Sequence, residues 1–295
     1  MDKFIIGQYG GFDAVKMRRD FREGFWGVEA CMFGTDQHAE SLLDYSRSNG
    51  FRVGVHYPFR QKRSHVRDAL FMSTDPMTRR GAYMEMEKEF ERVAPLSPSY
   101  ILFHYPKPVI LDRDADWTFW KFSREEYEWS SDYLTGRLED SSELLFRWLS
   151  EKGREFGFVP VLELDALSSF IYESDFLEKL LHTYPSIRLC LDTGRLYLQN
   201  RTDPKFSALA LMERYAKYAH HIHLSTMKFN RGIEHYHHPV LPELHIQDGW
   251  APIEEYIRVI SKENPNVLWM FEHRSDHISD DDLERCYNWV EYLIR

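Results

Sequence analysis

Short apolar runs alternate with longer amphipathic stretches along the whole of this 295-residue chain. The short runs are bounded by turn residues, as strands are, and the longer stretches repeat apolar residues every three or four positions, as helices do. Strands are predicted at 4–9, 25–31, 51–57, 100–105, 159–164, 187–192, 220–224 and 267–272. Helices are predicted at 39–48, 82–93, 141–156, 170–183, 206–218, 252–262 and 280–294, with a weaker one at 12–22.

Eight strands that are each followed by a helix predict an α/β fold, a single (β/α)8 TIM barrel domain spanning 1–295. An open doubly wound sheet fits less well, because no G-x-G-x-x-G follows the first strand. The surplus length lies mainly at 106–136, after the fourth strand, in an insertion rich in aromatic residues such as Trp117 and Trp120. These aromatics either form a lid or only pack the insertion onto the barrel, and the sequence leaves both possibilities open.

Composition and charge exclude several classes of protein. A hydrophobic content of 43% with a net charge of -10 excludes disordered and fibrous chains. No apolar run reaches the roughly 18 residues of a membrane helix, and the first residues lack a secretion signal. Three scattered cysteines are too few for a disulfide framework, so we expect a cytoplasmic protein with no membrane partner. The negative charge argues mildly against nucleic acid as a partner.

Imidazole or carboxylate side chains lie at the ends of six of the eight predicted strands. They are His56, His104, Glu163, Asp192, His223 and Glu272. Any one of them alone is more often a turn-former or a core residue. Parallel strands of a barrel, however, present their carboxyl ends to one mouth, where barrel enzymes keep their active sites. Because three carboxylates in one mouth would repel one another, the pattern predicts a bound divalent metal, and the ligand types suit Mn, Zn, Co or Mg.

Four motifs on strands five to eight carry a family resemblance. They read Leu162-Glu163, Leu191-Asp192-Thr193-Gly194, His221-Ile222-His223-Leu224 and Phe271-Glu272-His273. In this order they resemble the xylose isomerase-like TIM barrels, which include sugar isomerases and epimerases, inosose-processing enzymes and the endonuclease IV type of abasic-site nuclease. The likeness covers nearly the whole chain. It implies that Glu163, Asp192, His223 and Glu272 bind the catalytic metal, and that His56 and His104 hold a second metal with Glu163 in the nuclease branch.

Two departures separate the chain from the nuclease branch. Arg195 stands where many members have a histidine three residues after the aspartate of strand six. The loop after strand seven reads Tyr236-His237-His238 where the nucleases need an Asp-x-His pair. His238 keeps its place in that pattern and is a candidate metal ligand. Because the ligands of a third metal are incomplete, the resemblance implies one or two divalent metal ions per chain and favours sugar chemistry over a trinuclear nuclease.

The resemblance therefore implies a metal-dependent isomerase or epimerase. Its substrate would be a ketose or polyol-derived sugar, phosphorylated or not, converted by proton transfer through a metal-stabilised enediolate. Glu163 and Glu272 are the candidate catalytic acid and base, with their roles unassigned. The candidate substrate contacts are Arg195, His104, Glu29, Trp117, Trp120 and Arg231. The sequence leaves the particular sugar, the choice between isomerisation and epimerisation, and the oligomeric state open.

A basic loop after the third strand is compatible with a second function. It contains Arg60, Lys62, Arg63, Arg67, Arg79 and Arg80, against Asp68 and Asp75. Such a loop is either simply solvated or placed to meet phosphates, of DNA or of a sugar phosphate. An endonuclease IV-like, metal-dependent phosphodiesterase acting on abasic DNA is therefore the alternative. A third interpretation is a non-catalytic metal- or sugar-binding barrel.

Overall fold

Eight parallel strands close into a barrel in the computed structural model, which describes residues 1–61 and 66–295. The strands of the chain are β1 (Phe4–Tyr9), β2 (Gly27–Phe33), β3 (Arg52–Arg60), β4 (Tyr100–Tyr105), β5 (Val109–Leu111), β6 (Tyr127–Trp129), β7 (Val159–Leu164), β8 (Arg188–Asp192), β9 (Ala219–Leu224), β10 (Thr226–Phe229), β11 (Ile233–His238) and β12 (Leu268–Phe271). Around the barrel the order is β1-β12-β9-β8-β7-β4-β3-β2. The barrel and all eight of its predicted strands are confirmed, with shifts at the strand ends.

The connecting helices follow the predicted order. They are α1 (Ala14–Asp20), α2 (Asp36–Asn49), α3 (Pro76–Val93), α4 (Thr135–Phe156), α5 (Ser169–Glu173), α6 (Phe176–Thr183), α7 (Thr193–Thr202), α8 (Ala208–Tyr215), α9 (Ile253–Glu263) and α10 (Asp280–Leu293). The α10 start is confirmed by its cap, because the Ser279 hydroxyl accepts a hydrogen bond from the Asp282 backbone N–H at 3.1 Å. In the part of the chain that the structure describes, no helix has the length and apolar character needed to cross a membrane.

The structure differs from the predicted helices in two places. The helix predicted at 170–183 is two helices, because the Ser174 hydroxyl donates to the Phe170 carbonyl and accepts from the Phe176 backbone N–H, replacing helical bonds between them. Helix α7 was not predicted at all. It begins directly after β8, where Asp192 is at once the last residue of the strand and the N-cap of the helix. Because no turn residue separates the two elements, the usual boundary signal is missing.

Contacts between residues divide the chain into two compact units. One consists of residues 1–7, 13–27 and 189–295, and contains β9, β12, most of β1 and β8, and an antiparallel hairpin of β10 and β11. The other consists of residues 8–12 and 28–188, and contains β3, β4, β7, most of β2, and a parallel pair of β5 and β6. The single domain spanning 1–295 stays a prediction.

The aromatic insertion lies in the second of these units. Its β5 residues Val109 and Leu111 form an apolar cluster with Ala166, which follows β7. Five aromatic side chains pack against this cluster, namely Trp117, Trp120, Phe122, Tyr127 and Trp129. This packing holds the insertion against the chain that leaves β7.

Gly54 in β3 lets a tyrosine ring occupy the space beside the strand. A Cβ atom added at Gly54 would overlap Cζ and Cε1 of Tyr100, in β4. The Tyr100 ring is fully buried and its hydroxyl donates to Glu29 at 2.7 Å, so the ring cannot move aside without losing that bond. Only glycine fits at this position.

We expect Gly54→Ala to lower the free energy of unfolding by about 1–3 kcal/mol, the usual cost of overpacking a core. Chemical denaturation of the purified variant measures this change. Gly81→Ala is the matched control, because no atom lies within 4 Å of a Cβ built at that helical position. That control should gain about 0.5–1 kcal/mol from improved helix propensity. Equal denaturation midpoints for the two variants would contradict the steric argument.

Candidate metal and active site

Two histidines and a glutamate from three neighbouring strands meet in one cluster. His56 lies on β3, His104 on β4 and Glu163 on β7, and all three are buried. The β4–β7 register places His104 beside Glu163. Glu163 Oε2 lies 3.3 Å from His56 Nε2 and 3.1 Å from His104 Nε2. The structure therefore brings together three of the predicted metal ligands, with one ligand atom of each within 4.8 Å of the others.

Each of the two imidazoles has a second partner at Nδ1, outside the cluster. His56 Nδ1 lies 2.8 Å from the Tyr57 carbonyl, which can only accept, so Nδ1 is the donor. His104 Nδ1 lies 2.9 Å from Oδ2 of Asp68. Burial alone would raise the pKa of Asp68, but the charges of His104 and Lys107 hold it well below its usual range, so this carboxylate is also an acceptor. Nδ1 of each ring therefore faces an acceptor outside the cluster, and Nε2 of each ring faces Glu163.

A buried ionic network lies behind His104. Lys107 Nζ is 2.9 Å from Oδ2 of Asp68 and 2.8 Å from Oδ2 of Asp165, and all three side chains are buried. Burial lowers the pKa of Lys107, but the charges of Asp165 and Asp68 more than offset this and raise it. Sequence reasoning missed this network. The one available signal was Lys107 itself, a lysine set between two prolines directly after an apolar strand.

Asp192 is positioned by two elements, because it is both the last residue of β8 and the N-cap of α7. Its Oδ1 accepts from the backbone N–H groups of Gly194 at 2.7 Å and Arg195 at 3.0 Å. Two backbone donors at one oxygen favour the ionised carboxylate and fix its orientation. Oδ2 is then the oxygen offered to other partners, and Nε of Arg195 lies 3.4 Å from it. Arg195 therefore lies beside a predicted metal ligand. Its predicted contact with a substrate stays a prediction.

His223 and Glu272 form a second close pair in the same unit as Asp192. His223 lies on β9, paired in register with Asp192 of β8, and Glu272 directly follows β12. Nδ1 of His223 is 3.2 Å from Oε2 of Glu272. The imidazole is fully buried, whereas the Glu272 side chain is 28% exposed. A carboxylate held on one side and open on the other is suited to exchanging a proton with a bound molecule.

The hairpin of β10 and β11 brings His237, which was not predicted as a site residue, close to Glu272. Nδ1 of His237 lies 3.1 Å from the backbone carbonyl of Glu272 and 4.0 Å from its Oε2. Nδ1 of His238 faces the Pro239 carbonyl at 2.8 Å, and burial lowers the pKa of this imidazole. His237 has a positive φ of 47°, which breaks the alternation of the strand. The periodicity of the sequence could not have predicted this left-handed backbone conformation at His237.

A third group of metal-ligand types lies deeper along the same strands. Cys190 of β8 pairs in register with His221 of β9, two residues before Asp192 and His223. Residues two apart in a strand share a face, so these four side chains line one surface. Cys190, His221 and His223 are all buried, with one ligand atom of each within 4.8 Å of the others. This thiol and its neighbouring imidazole were not predicted as site residues.

The other residues predicted to contact substrate are Glu29, Trp117, Trp120 and Arg231, and the structure shows the contacts or exposure of each. Glu29 accepts its hydrogen bond from Tyr100, the first residue of β4, whereas His104 lies near the last. Trp117 and Trp120 pack within the insertion, where Nε1 of Trp117 donates to the Asp112 carbonyl at 2.7 Å. Arg231 is exposed in the turn of the hairpin. Contact of these four residues with a substrate stays a prediction.

The arginines of the basic loop have separate partners. Arg60 pairs with Asp36, and Arg79 donates to the Ser73 carbonyl at 2.6 Å. Nη2 of Arg67 lies 3.1 Å from Nε2 of His104. Arg80 is exposed, and Lys62 and Arg63 lie outside the described residues. Among the described residues, Arg67 is therefore the member of this loop that brings positive charge to the predicted site.

Comparison with solved structures shows the fold. The chain is similar to D-psicose 3-epimerase from Clostridium cellulolyticum H10, with 15% identity, a TM-score of 0.60 and 99% of both chains covered. It is similar to 3-keto-D-glucoside 4-epimerase from E. coli, with 10% identity, a TM-score of 0.62, and 98% of this chain and 99% of that chain covered. It is also similar to the TTHB071 protein from Thermus thermophilus, soaked with ZnCl2, with 16% identity, a TM-score of 0.58, and 99% and 97% covered.

Sequence comparison with protein-family models and with curated proteins finds no match. At the identities of the solved structures, the likeness extends to the fold and not to the activity. The fold implied by the sequence resemblance, that of the xylose isomerase-like TIM barrels, is confirmed.

Proposed function

We propose that this barrel is a divalent-metal-dependent sugar isomerase or epimerase. The observation that carries the proposal is the grouping of ligand-type residues at strand ends. His56, His104 and Glu163 form one group, and Asp192, His223 and Glu272 form the other. Because the barrel strands run parallel, their carboxyl ends face the same end of the barrel, which is where barrel enzymes carry out their chemistry. The fold shared with two sugar epimerases supports the choice of substrate class.

Glu163, Asp192, His223 and Glu272 are the proposed ligands of the catalytic ion. His56 and His104 would join Glu163 around a second. Three carboxylate oxygens and an imidazole suit Mn, Co, Zn or Mg. The residues fit such a cation, because Asp192 has one oxygen fixed by backbone donors and both histidines direct Nε2 toward a buried carboxylate. When bound, a divalent ion supplies a Lewis acid that polarises a carbonyl and neutralises the charge that develops on its oxygen.

The protein's own groups perform the proton transfer in this proposal. Glu163 and Glu272 act as the acid and base pair, one removing the proton beside the sugar carbonyl and the other returning it. Return to the opposite face of the same carbon gives epimerisation, and return to the adjacent carbon gives isomerisation. Arg195, held beside Asp192, and His104, held by Asp68, bind substrate oxygens. Glu272 is the better placed of the two glutamates to reach a substrate, since it is the partly exposed one.

An endonuclease IV-like phosphodiesterase is the second candidate. It is favoured by the His56, His104 and Glu163 cluster, since two-metal sites cleave phosphodiesters. It ranks lower because Arg195 occupies the position of a third-metal ligand. Arg60 and Arg79 also have partners within the chain, Asp36 and the Ser73 carbonyl, which compete with a phosphate backbone for these two guanidinium groups.

We expect Mn²⁺-loaded protein to convert at least one ketose in a broad panel and to leave an abasic-site oligonucleotide intact. Chromatography of the sugar mixture and gel electrophoresis of the oligonucleotide, run on one preparation, measure the two activities. Protein carrying Glu163→Ala and Asp192→Ala is the control for contaminating enzymes. Incision without sugar conversion would reverse the ranking. Metal binding with neither activity would favour the non-catalytic barrel.

A further inference from the structure

We infer that Tyr236 is a substrate-binding residue, whose ring stacks on the C–H face of the bound sugar and so favours ketoses with a long carbon chain. This role rests on the proposed function, in which the bound molecule is a sugar held between Asp192 and Glu272. Tyr236 was not predicted as a site residue, although it is the first residue of the Tyr236-His237-His238 loop. In the structure it lies on β11 and is 38% exposed.

A bulge in β11 sets the direction of the Tyr236 side chain. Between its pairs with β10, the stretch from His235 to His238 holds one residue more than the facing stretch of β10. The backbone of His237, with its positive φ of 47°, departs from extended geometry within this stretch. His235 and His238 therefore lie on the same face of the hairpin, although they are three residues apart. Because adjacent residues of a strand point to opposite faces, Tyr236 points away from His235.

The two faces of the hairpin have different neighbours. Trp250, which is buried, covers the face that carries the two histidines. The His235 ring stacks on Trp250 at a centroid distance of 5.3 Å, and the His238 ring lies 5.0 Å from it. The Tyr236 ring lies near the first turn of α7 instead, where its Cε2 is 4.0 Å from a Cβ atom built at Gly194. Tyr236 thus has a neighbour on α7 while part of its surface stays exposed.

The neighbours of Tyr236 hold the two carboxylates between which the sugar is proposed to bind. The Gly194 backbone N–H donates to Oδ1 of Asp192 at 2.7 Å. The Tyr236 and His237 rings lie 3.9 Å apart, measured between their centroids. Nδ1 of His237 in turn lies 4.0 Å from Oε2 of Glu272. A sugar bound between Asp192 and Glu272 would therefore lie beside the tyrosine ring.

The C–H face of a sugar suits an aromatic partner. The face of an aromatic ring carries partial negative charge, and the C–H hydrogens of a sugar are weakly positive. A tyrosine also offers a large contact area at a low cost in conformational entropy, since it has only two side-chain torsions. Dihydroxyacetone has the carbonyl and the neighbouring hydroxyls of a ketose but lacks the longer chain of C–H groups. Stacking should therefore strengthen the binding of a ketohexose and not that of dihydroxyacetone.

Ligand-observed NMR of Mg²⁺-loaded protein tests this role, with the D-ketohexoses and dihydroxyacetone as probes. In the wild type, saturation of the aromatic protons should pass to the C–H protons of the ketohexose that binds best. We expect Tyr236→Ala to raise the Kd of that sugar by about 3–10-fold, the range for one aromatic contact, and to leave the Kd of dihydroxyacetone unchanged. Tyr236→Phe should bind both probes as the wild type does, because it keeps the ring. In turnover, Tyr236→Ala should raise KM and change kcat little.

An equal loss of affinity for both probes in Tyr236→Ala would overturn the inference, because it would indicate a disturbed hairpin and not a lost stacking contact. A Tyr236→Phe variant that binds as weakly as Tyr236→Ala would overturn it too, by assigning the contact to the hydroxyl. Tyr292→Ala is the matched control, an exposed tyrosine of α10 whose loss should change neither Kd. A wild type that binds a ketohexose without converting it would defeat the proposed function and leave the stacking result intact. A wild type that binds no ketohexose would defeat the stacking role itself.

Discussion

Replacing Glu163 and Asp192 together by alanine is expected to remove the divalent metal and to lower kcat for ketose conversion by roughly 10³-fold. Polarisation by a bound cation is worth several kcal/mol of barrier, and each 1.36 kcal/mol is about a factor of ten in rate. The two carboxylates are both buried, and each is oriented by its own partners. His56 and His104 face Glu163, while the first turn of α7 holds Asp192. We expect the remaining proposed ligands to be too few to hold the ion.

Metal analysis after loading with Mn²⁺ and gel filtration measures the first half of this prediction. Wild-type protein treated with a chelator should lose turnover and regain it with Mn²⁺, and the double variant should not regain it. Glu89→Gln is the control, because Glu89 is a buried carboxylate that accepts from the Phe59 and Arg60 backbone N–H groups away from this cluster. Full metal occupancy in the double variant would mean that the ligand set has been misidentified.

The barrel could be predicted because its signal is local. Strand and helix periodicities are properties of short windows, and eight repetitions of the pair leave few alternative folds. The ligand-type residues at strand ends could be predicted for the same reason, because an apolar run and the polar residue that ends it lie within one short stretch of sequence. What failed was boundary detail. Helix α7 had no turn residue before it. The β11 strand of the hairpin carries histidines and a glutamate at positions where a half-buried strand usually has alternating apolar residues.

The supporting residues of the site could not be predicted, because they are joined by contacts distant in sequence. Asp68 comes from the loop before α3, Lys107 from the segment after β4, and Asp165 from the segment after β7. None of them ends an apolar run inside a predicted strand. Their partnership exists only in the folded chain, where each buried charge must find an opposite one. Sequence patterns thus indicate the candidate ligand-binding side chains at strand ends more readily than the residues that hold those side chains in place.

Replacing Glu272 by glutamine is expected to lower kcat by about 10²–10⁴-fold, the usual contribution of a general acid or base. Glutamine keeps the size of the side chain and one oxygen, but the group can no longer take up a proton. His223 and His237 flank this side chain and remain to position it. Because substrate binding depends mainly on other groups in the proposal, KM should change much less than kcat.

Exchange of substrate hydrogen with solvent separates proton transfer by Glu272 from metal binding. In D2O the wild type should introduce deuterium at the carbon beside the sugar carbonyl, and Glu272→Gln should not, as followed by NMR of the recovered sugar. Metal content measured on the same sample shows whether the ion is retained. Glu234→Gln, a change to an exposed carboxylate on the hairpin, should exchange deuterium at the wild-type rate. Wild-type exchange in metal-loaded Glu272→Gln would assign the proton transfer to another residue.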